Sequence, residues 1–317
     1  MIAELFGAKP FFSKRFIRPI ALGLLMTAPI GAPALATGPG PSTSAGIVED
    51  VGGGARIDMA GKLRMLSQRI PMTACNVQAG IETEAAVTMM TGAVAEFQKI
   101  ITALEYGDDS LGIYGAEEDR RVLYAVADVH EIWAPLHADV QRADPAAMDV
   151  ALVTRTADTS HDLLKRAQAL VDAVTGEHSD PSALLQSDAI TIGIAGRQRM
   201  LAQRMSKNAC LLAEGHFKES AASELAAAME TYDASLNALR FGMDNAGIVS
   251  PPNSAIEDGL AEIAADWISL QASLDDIRDG AHPDAETRAM LYHGLNGLTG
   301  KMNVVVGLYA EASKLGL

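Results

Sequence analysis

Apolar residues recur every three or four positions along most of the chain, whereas strand-like alternation is rare. The pattern is interrupted by clusters of glycine, aspartate and proline, which are typical of loops. These interruptions define eight predicted helices, at residues 55–80, 84–106, 119–142, 147–175, 186–214, 217–242, 254–279 and 284–314. The sequence therefore predicts an all-α protein.

Two ten-residue segments of the chain are nearly the same. AGKLRMLSQR begins at Ala60 and AGRQRMLAQR begins at Ala195, and seven of the ten positions are identical. Trp133 and Trp267, the only tryptophans, also correspond after one deletion, and we expect them to anchor the core of the third helix in each copy. The chain is predicted to be a tandem duplication of an up-down four-helix bundle.

The number of helices in each repeat predicts how the repeats are arranged. Four alternating helices return the chain to the end where it began, so the first helices of the two repeats should run parallel. The bundles should then pack around a pseudo-twofold axis, as an intramolecular pseudo-dimer. The predicted organisation is a signal peptide at 1–36, a flexible segment at 37–54, the first bundle at 55–175, a linker at 176–183 and the second bundle at 184–317.

Residues 1–36 have the pattern of a secretory signal peptide. A basic region precedes an apolar stretch and the small residues of Ala34-Leu35-Ala36. That stretch is shorter than the ~20 residues that span a bilayer, and no later segment is long and apolar enough. The net charge is −15 and becomes −18 without these residues, which argues against nucleic acid or an anionic membrane as a partner. We expect an exported, soluble, periplasmic protein that does not insert into a membrane.

The repeated helix has an apolar stripe and, on its opposite side, a second stripe that contains polar residues. Arg64 and Gln68 lie on this stripe in the first repeat, and Arg199 and Gln203 in the second. If the stripes face each other, the two guanidinium groups repel, and a planar oxyanion between them would relieve the repulsion. The glutamines would supply neutral donors. The alternative is that the arginines are surface residues or pair with carboxylates.

Two further pairs of residues recur on the same helices. Arg69 and Arg204 lie at the edge of the apolar stripe, so they are candidates for the anion site, although pairing within each bundle fits their position better. Cys75 and Cys210, the only cysteines, lie three turns beyond the arginines. An exported protein can keep a disulfide between them; the alternative is two small buried thiols. Pro71 is expected to distort the first helix locally.

The repeated motif carries a family resemblance. It resembles the N-terminal sensor domain of type IV pilus methyl-accepting chemotaxis transducers, the PilJ type. It is also similar to the sensor domain of nitrate- and nitrite-responsive histidine kinases of the NarX type. The family pattern reads roughly I-N-x-A-G-R-Q-R-M-L-S-Q-R-M, which residues 192–205 follow closely and residues 57–69 slightly less well.

The resemblance implies a ligand-sensing four-helix bundle in each of two copies. In the nitrate-sensing branch, arginines of the first helix bind the anion at a dimer interface, and that motif position carries over to Arg64 and Arg199. The chain departs from the family pattern at one position of each copy, with Asp58 and Gly193 in place of an asparagine. It differs from the nitrate-sensor kinases at a second position, where Gln68 and Gln203 stand in place of a tyrosine-type residue.

The sequence favours a sensory protein that binds a small anion, nitrate- or nitrite-like, between the first helices of its repeats. No kinase or methyl-accepting region follows, so the bound state would pass to a membrane receptor, sensor kinase or envelope protein. The alternative is a non-catalytic interaction or structural protein of an envelope or type IV pilus-related system, without a small-molecule ligand. Catalysis, a metal and a cofactor are not expected, because metal-binding motifs are absent and Asp158-x-x-His161 has no counterpart in the second repeat.

Overall fold

The computed structural model describes residues 51–179 and 186–314. The predicted signal peptide, most of the predicted flexible segment and half of the predicted linker lie outside these ranges. The described residues form eight α-helices, two short 3-10 helices and two isolated β-bridges, without a β-strand. None of the described helices is long and apolar enough to cross a membrane. The all-α prediction is confirmed.

Each predicted helix is present within the described ranges, with ends no more than four residues from the predicted ones. The helices are α1 (Val51–Gln78), α2 (Thr83–Tyr106), α3 (Arg120–Arg142), α4 (Val150–His178), α5 (Gln186–Ala213), α6 (Lys218–Phe241), α7 (Ser254–Arg278) and α8 (Ala285–Lys314). Polar side chains cap several of them: Asp119, Asp149 and Asn253 each accept hydrogen bonds from backbone N–H groups in the first turn of α3, α4 and α7. α1 continues without a break through Pro71.

The helices pack as two up-down bundles joined through their first helices. α1 packs against α2 and α4, α5 packs against α6 and α8, and α1 packs against α5. Three links between α1 and α5 follow one another in ascending order along both helices, namely Asp58 to Arg199, Arg69 to Gln203, and Cys75 to Cys210. The two helices are therefore parallel, as the parity of the repeats predicts.

The two tryptophans hold equivalent places in the two cores. Trp133 stacks on Phe97 with ring centroids 4.1 Å apart, and Trp267 contacts Tyr232 at 4.8 Å. Both indoles are almost completely buried. Each indole N–H donates to a polar side chain of the second helix of its bundle, at 2.9 Å in the first repeat and 3.2 Å in the second. The expectation that they anchor each core is confirmed.

The turns that follow α2 and α6 show that the duplication extends to the backbone. Gly107 and Gly242 end these helices at φ 85° and 77°, in a region that side chains rarely adopt. A Cβ atom on Gly107 would lie 2.6 Å from the carbonyl oxygen of Gly115, and one on Gly242 would lie 3.1 Å from the backbone nitrogen of Ser250. Both turns thus require glycine, and the first is the tighter.

Candidate functional site

The candidate site lies where α1 contacts α5. We call this contact the seam, formed by residues 58–75 of α1 and 193–210 of α5. The apolar stripe of each helix faces its own bundle, so the second, polar stripe is left for the seam. Arg64 and Arg199 are both buried there, with 6% and 4% of their surface exposed. The alternative that they are surface residues is therefore wrong.

The two arginines have closely matching surroundings. Each guanidinium lies beside a glycine of its own helix and donates from Nη1 to an amide oxygen on the last helix of its bundle. The matched partners are Gly61 and Gln168 for Arg64, with a 2.8 Å hydrogen bond, and Gly196 and Asn303 for Arg199, with a 2.6 Å hydrogen bond. The same shift along the chain relates the two arginines, the two glycines and the two amides. The motif thus builds the same arginine geometry twice.

The two arginines differ in their contacts across the seam. Arg199 Nη2 donates to Asp58 Oδ1 at 3.2 Å, which forms an ion pair between the repeats. The position equivalent to Asp58 in the second repeat is Gly193, which has no carboxylate. Among the described residues, Arg64 has no carboxylate oxygen within 4.0 Å, and its buried Nε donates no hydrogen bond. Carboxylate pairing, one of the predicted alternatives, thus applies to Arg199 and not to Arg64.

The charge on Arg64 is only weakly compensated. Burial, together with the positive charges of Arg197 and Arg199, lowers the pKa of Arg64 to about 10, and the negative charge of Asp172 partly opposes this shift. Asp172 reaches Arg64 through an intermediate side chain, because Gln168 donates to Asp172 at 2.7 Å and accepts from Arg64. Three arginines therefore concentrate positive charge at this end of the seam.

The two glutamines do not present free donors to the arginines. The side-chain nitrogen of Gln203 donates to Asn296 at 3.0 Å and to Thr299 at 2.8 Å. The side-chain nitrogen of Gln68 donates to Ser67 at 3.1 Å and to the backbone of α4 at 3.2 Å. Both side-chain NH2 groups donate to residues of their own bundles, so the prediction that they supply donors to an anion does not hold in this arrangement.

Arg69 and Arg204 are no longer equivalent in the structure. Arg204 pairs with Glu224 at 3.3 Å within its own bundle, as its place beside the apolar stripe suggests. Arg69 instead crosses the seam and donates from Nε to Gln203 Oε1 at 3.2 Å. Pairing within the bundle is therefore the wrong prediction for Arg69. Its counterpart to Glu224 is Met89, which offers no carboxylate.

The seam also contains Lys207, a buried cation that lies outside the repeated motif. Lys207 is 3% exposed, and its Nζ lies 3.1 Å from Glu224 Oε2 and 3.2 Å from the hydroxyl of Ser160 in the other bundle. Sequence reasoning missed this pair, although alignment of the repeats carries the signal. Lys207 and Glu224 stand where the first repeat has Met72 and Met89, so two apolar residues are exchanged together for opposite charges.

A second buried ion pair, also missed, closes the first bundle near the start of α1. Arg56 donates to the backbone carbonyl of Gly115 at 2.7 Å and lies 3.5 Å from Glu117. The Nε2 atom of His178 is 2.7 Å from the same carboxylate. The charged and polar groups of these residues are paired with one another and with the loop backbone. This arrangement fits a structural role, in which they hold the loop before α3.

The two cysteines close the other end of the seam. Cys75 and Cys210 form a disulfide, with their Cα atoms 6.2 Å apart. They occupy equivalent positions on α1 and α5, so the bond lies at the pseudo-twofold axis. The alternative of two free buried thiols does not apply. The bond joins the two bundles covalently at a point about three helical turns beyond the paired arginines.

Comparison with known proteins agrees with the duplication. The family model for the N-terminal domain of type IV pili methyl-accepting chemotaxis transducers, PilJ, matches residues 50–167 and again residues 182–291. Each match begins close to the first helix of one bundle and extends into its fourth. A comparison with curated proteins gives no match. Together the matched regions cover more than half of the chain, which therefore belongs to the PilJ family of chemotaxis transducer sensor domains and carries two copies in tandem.

Proposed function

We propose that this chain is a non-catalytic periplasmic sensor that binds a small planar oxyanion, nitrate- or nitrite-like, at the seam. Arg64 and Arg199 of the two repeats would hold the anion. The bound state would pass to a partner, which we take to be a membrane receptor, a sensor kinase or an envelope protein. Membership of a transducer sensor family supports a sensory role. The proposal of an anion depends on the seam itself.

The observation that carries the proposal is the state of Arg64. Its guanidinium is buried, has no carboxylate within 4.0 Å among the described residues, and keeps an unpartnered Nε. Burying a cation without an anion is unfavourable, because the lost hydration is not replaced. An oxyanion would restore the balance, and a guanidinium can donate two parallel hydrogen bonds to its planar group. The neighbouring Arg197 and Arg199 add to the attraction.

The position of the seam between the two bundles is also suited to transmitting anion binding to a partner. Arg64 and Arg199 belong to different repeats, so an anion that contacts both adds a link between α1 and α5. A ligand shifts a conformational equilibrium only by binding one state better than another. The arrangement of the two bundles is the property that this ligand would bias, and a partner that touches both bundles would detect the change.

Thermal unfolding in a panel of anions tests the proposal. Nitrate, nitrite, sulfate, chloride and small carboxylates are added separately to the purified, oxidised protein. An anion at 100 times its dissociation constant should add about 2.7 kcal/mol to the free energy of unfolding. We expect this stabilisation to disappear in Arg64→Gln. The matched control is Arg166→Gln, which removes the same charge from an exposed ion pair with Asp128 and should leave the anion effect intact.

An interaction protein without a small-molecule ligand is the second candidate. Arg199 supports it, because the carboxylate of Asp58 and the amide oxygen of Asn303 already accept hydrogen bonds from this arginine. The disulfide also joins α1 to α5 covalently at the seam. A flat anion panel would favour this candidate, as would an anion effect that survives in Arg64→Gln. Chemical cross-linking of the intact protein to envelope partners would then be the experiment to pursue.

A further inference from the structure

The carboxylate of Asp58 shows how a planar oxyanion can bind to an arginine of this seam. It comes from α1 of the first repeat and accepts from Arg199 Nη2 in the second, at 3.2 Å. The contact crosses the pseudo-twofold axis, and 40% of the Asp58 side chain is exposed. A planar, singly charged group can therefore reach this guanidinium from the solvent side.

The pseudo-symmetry maps this contact onto a second position. Arg199 corresponds to Arg64, and Asp58 corresponds to Gly193, each by the same shift along the chain. The mapped position lies between Arg64 and Gly193, and there the protein supplies no carboxylate. Gly193 is exposed, and a Cβ atom added to it would meet no heavy atom within 4 Å. The space that a side chain would fill at Gly193 is thus open, and the pseudo-symmetry places it beside Arg64, which is the member of the Arg64–Arg199 pair without an ion pair.

We propose that the anion binds at a single off-axis position, against Arg64 and beside Gly193, where the equivalent of the Asp58 carboxylate is missing. The inference rests on the proposed function and makes it more specific: Arg64 donates to the anion, whereas Arg199, engaged by Asp58, contributes its positive charge. In the other half of the seam, the Asp58 carboxylate already occupies the equivalent position against Arg199. One chain therefore binds one anion, although it carries two copies of the arginine motif.

The charges around this position define the class of ligand. Arg64 and Arg197 lie together, and no described carboxylate is within 4.0 Å of either. Asp172 is the carboxylate that acts on Arg64, through Gln168. Arg64, Arg197 and Asp172 together carry a net charge of one positive unit. The charges of Arg199 and Asp58 neutralise each other. A monovalent, carboxylate-sized oxyanion such as nitrate, nitrite, formate or acetate fits this balance better than sulfate does.

Calorimetric titration of the full oxidised chain with sodium nitrate, and separately with sodium formate, tests the inference. The wild type should bind one anion. Gly193→Asp should weaken binding at least tenfold, because its own carboxylate would occupy the position. The matched control is Gly193→Asn, which has nearly the same size without the charge and should keep the site. Asp58→Gly should raise the stoichiometry to two.

A measurement without added anion separates this inference from the function on which it rests. In buffer free of nitrate, nitrite and carboxylates, Gly193→Asp should have a melting temperature at least about 2 °C above that of Gly193→Asn. The difference should vanish when Arg64→Gln is added to both. If this result is found and no anion binds the wild type, the position accepts a carboxylate of the protein but no free anion, and the sensory function fails although the mapped position is correct.

Three results would contradict the inference, the proposed function or both. Nitrate or formate binding that is unchanged in Gly193→Asp would leave the anion-sensing function standing and would overturn the off-axis position. Equal melting temperatures for Gly193→Asp and Gly193→Asn, combined with two bound anions in the wild type, would show that Asp58 does not block the second half. Equal melting temperatures without any binding would overturn both.

Discussion

The charged residues at the seam differ between the two repeats, although the motif that brings them there is the same. Lys207 and Glu224 replace two methionines, and this exchange builds a polar cluster on one side of the axis only. Burial tends to raise the pKa of Glu224, but the charges and hydrogen bonds of Lys207, Arg204 and Asn208 outweigh it. The pKa is therefore lowered below its ordinary value of 4.5. Burial also lowers the pKa of Lys207.

This shift predicts how the stability of the cluster depends on pH. A carboxyl group with a depressed pKa in the folded state stabilises the fold above its unfolded pKa, and that contribution is lost as the pH falls through the folded value. Glu224→Gln should thus lower the free energy of unfolding by about 1–3 kcal/mol at pH 7, and the deficit should shrink below pH 4.5. Urea unfolding across this range measures it.

The matched control copies the first repeat. The double variant Lys207→Met/Glu224→Met restores the pair found at Met72 and Met89, and replacing a buried ion pair with apolar residues is often neutral or stabilising. It should therefore recover most of the stability that Glu224→Gln loses at pH 7. A pH-independent deficit in the single variant would show that the charge of Glu224 is not what stabilises the cluster.

The bounds of the helices can largely be predicted from the sequence, because the residues that determine them lie close by in the chain. Apolar periodicity, polar caps and glycine or proline interruptions lie within a few residues of each helix end, so the predicted and observed bounds agree closely. The parallel pairing of α1 with α5 follows from counting helices. The hydrogen-bond partners of the seam side chains cannot be predicted in this way. Gln68 and Arg69 find partners that depend on helix rotation and side-chain rotamers, which no local pattern records.

The turns after α2 and α6 give a prediction at the level of the helix ends. Gly107→Ala should lower the free energy of unfolding by about 1–3 kcal/mol, because a Cβ atom would lie 2.6 Å from a backbone oxygen. Gly242→Ala should cost less, since its closest backbone contact is 3.1 Å. Thermal unfolding compares the two.

A glycine inside α2 provides the control for these two substitutions. A Cβ atom on Gly92 would meet nothing within 4 Å, and its helical backbone suits alanine. Gly92→Ala should therefore leave stability unchanged or raise it by up to about 1 kcal/mol. If Gly242→Ala proved as costly as Gly107→Ala, the positive φ angle and not the backbone contact would determine the penalty.

At the scale of the whole molecule, the Cys75–Cys210 disulfide adds a covalent cross-link between the two bundles. The disulfide joins residues 135 positions apart, so it restricts the unfolded chain strongly. Reduction should lower the free energy of unfolding by about 2–5 kcal/mol, measured by urea denaturation with and without a phosphine reductant. Cys75→Ala/Cys210→Ala should resemble the reduced protein and should not respond to the reductant. Identical midpoints for the oxidised and reduced wild type would contradict the prediction.

The position of this bond also restricts how the two bundles can move. It fixes α1 to α5 at one end of their contact, whereas Arg64 and Arg199 lie about 16 Å away along the helices. A fixed point of this kind prevents the helices from sliding past each other like pistons. Of the relative motions of the two helices, rotation about the bond is the one that the disulfide itself permits, and such a rotation would displace the arginine end most. If the proposed function holds, an anion bound at the arginine end would therefore be transmitted to the partner as a change of angle between the bundles.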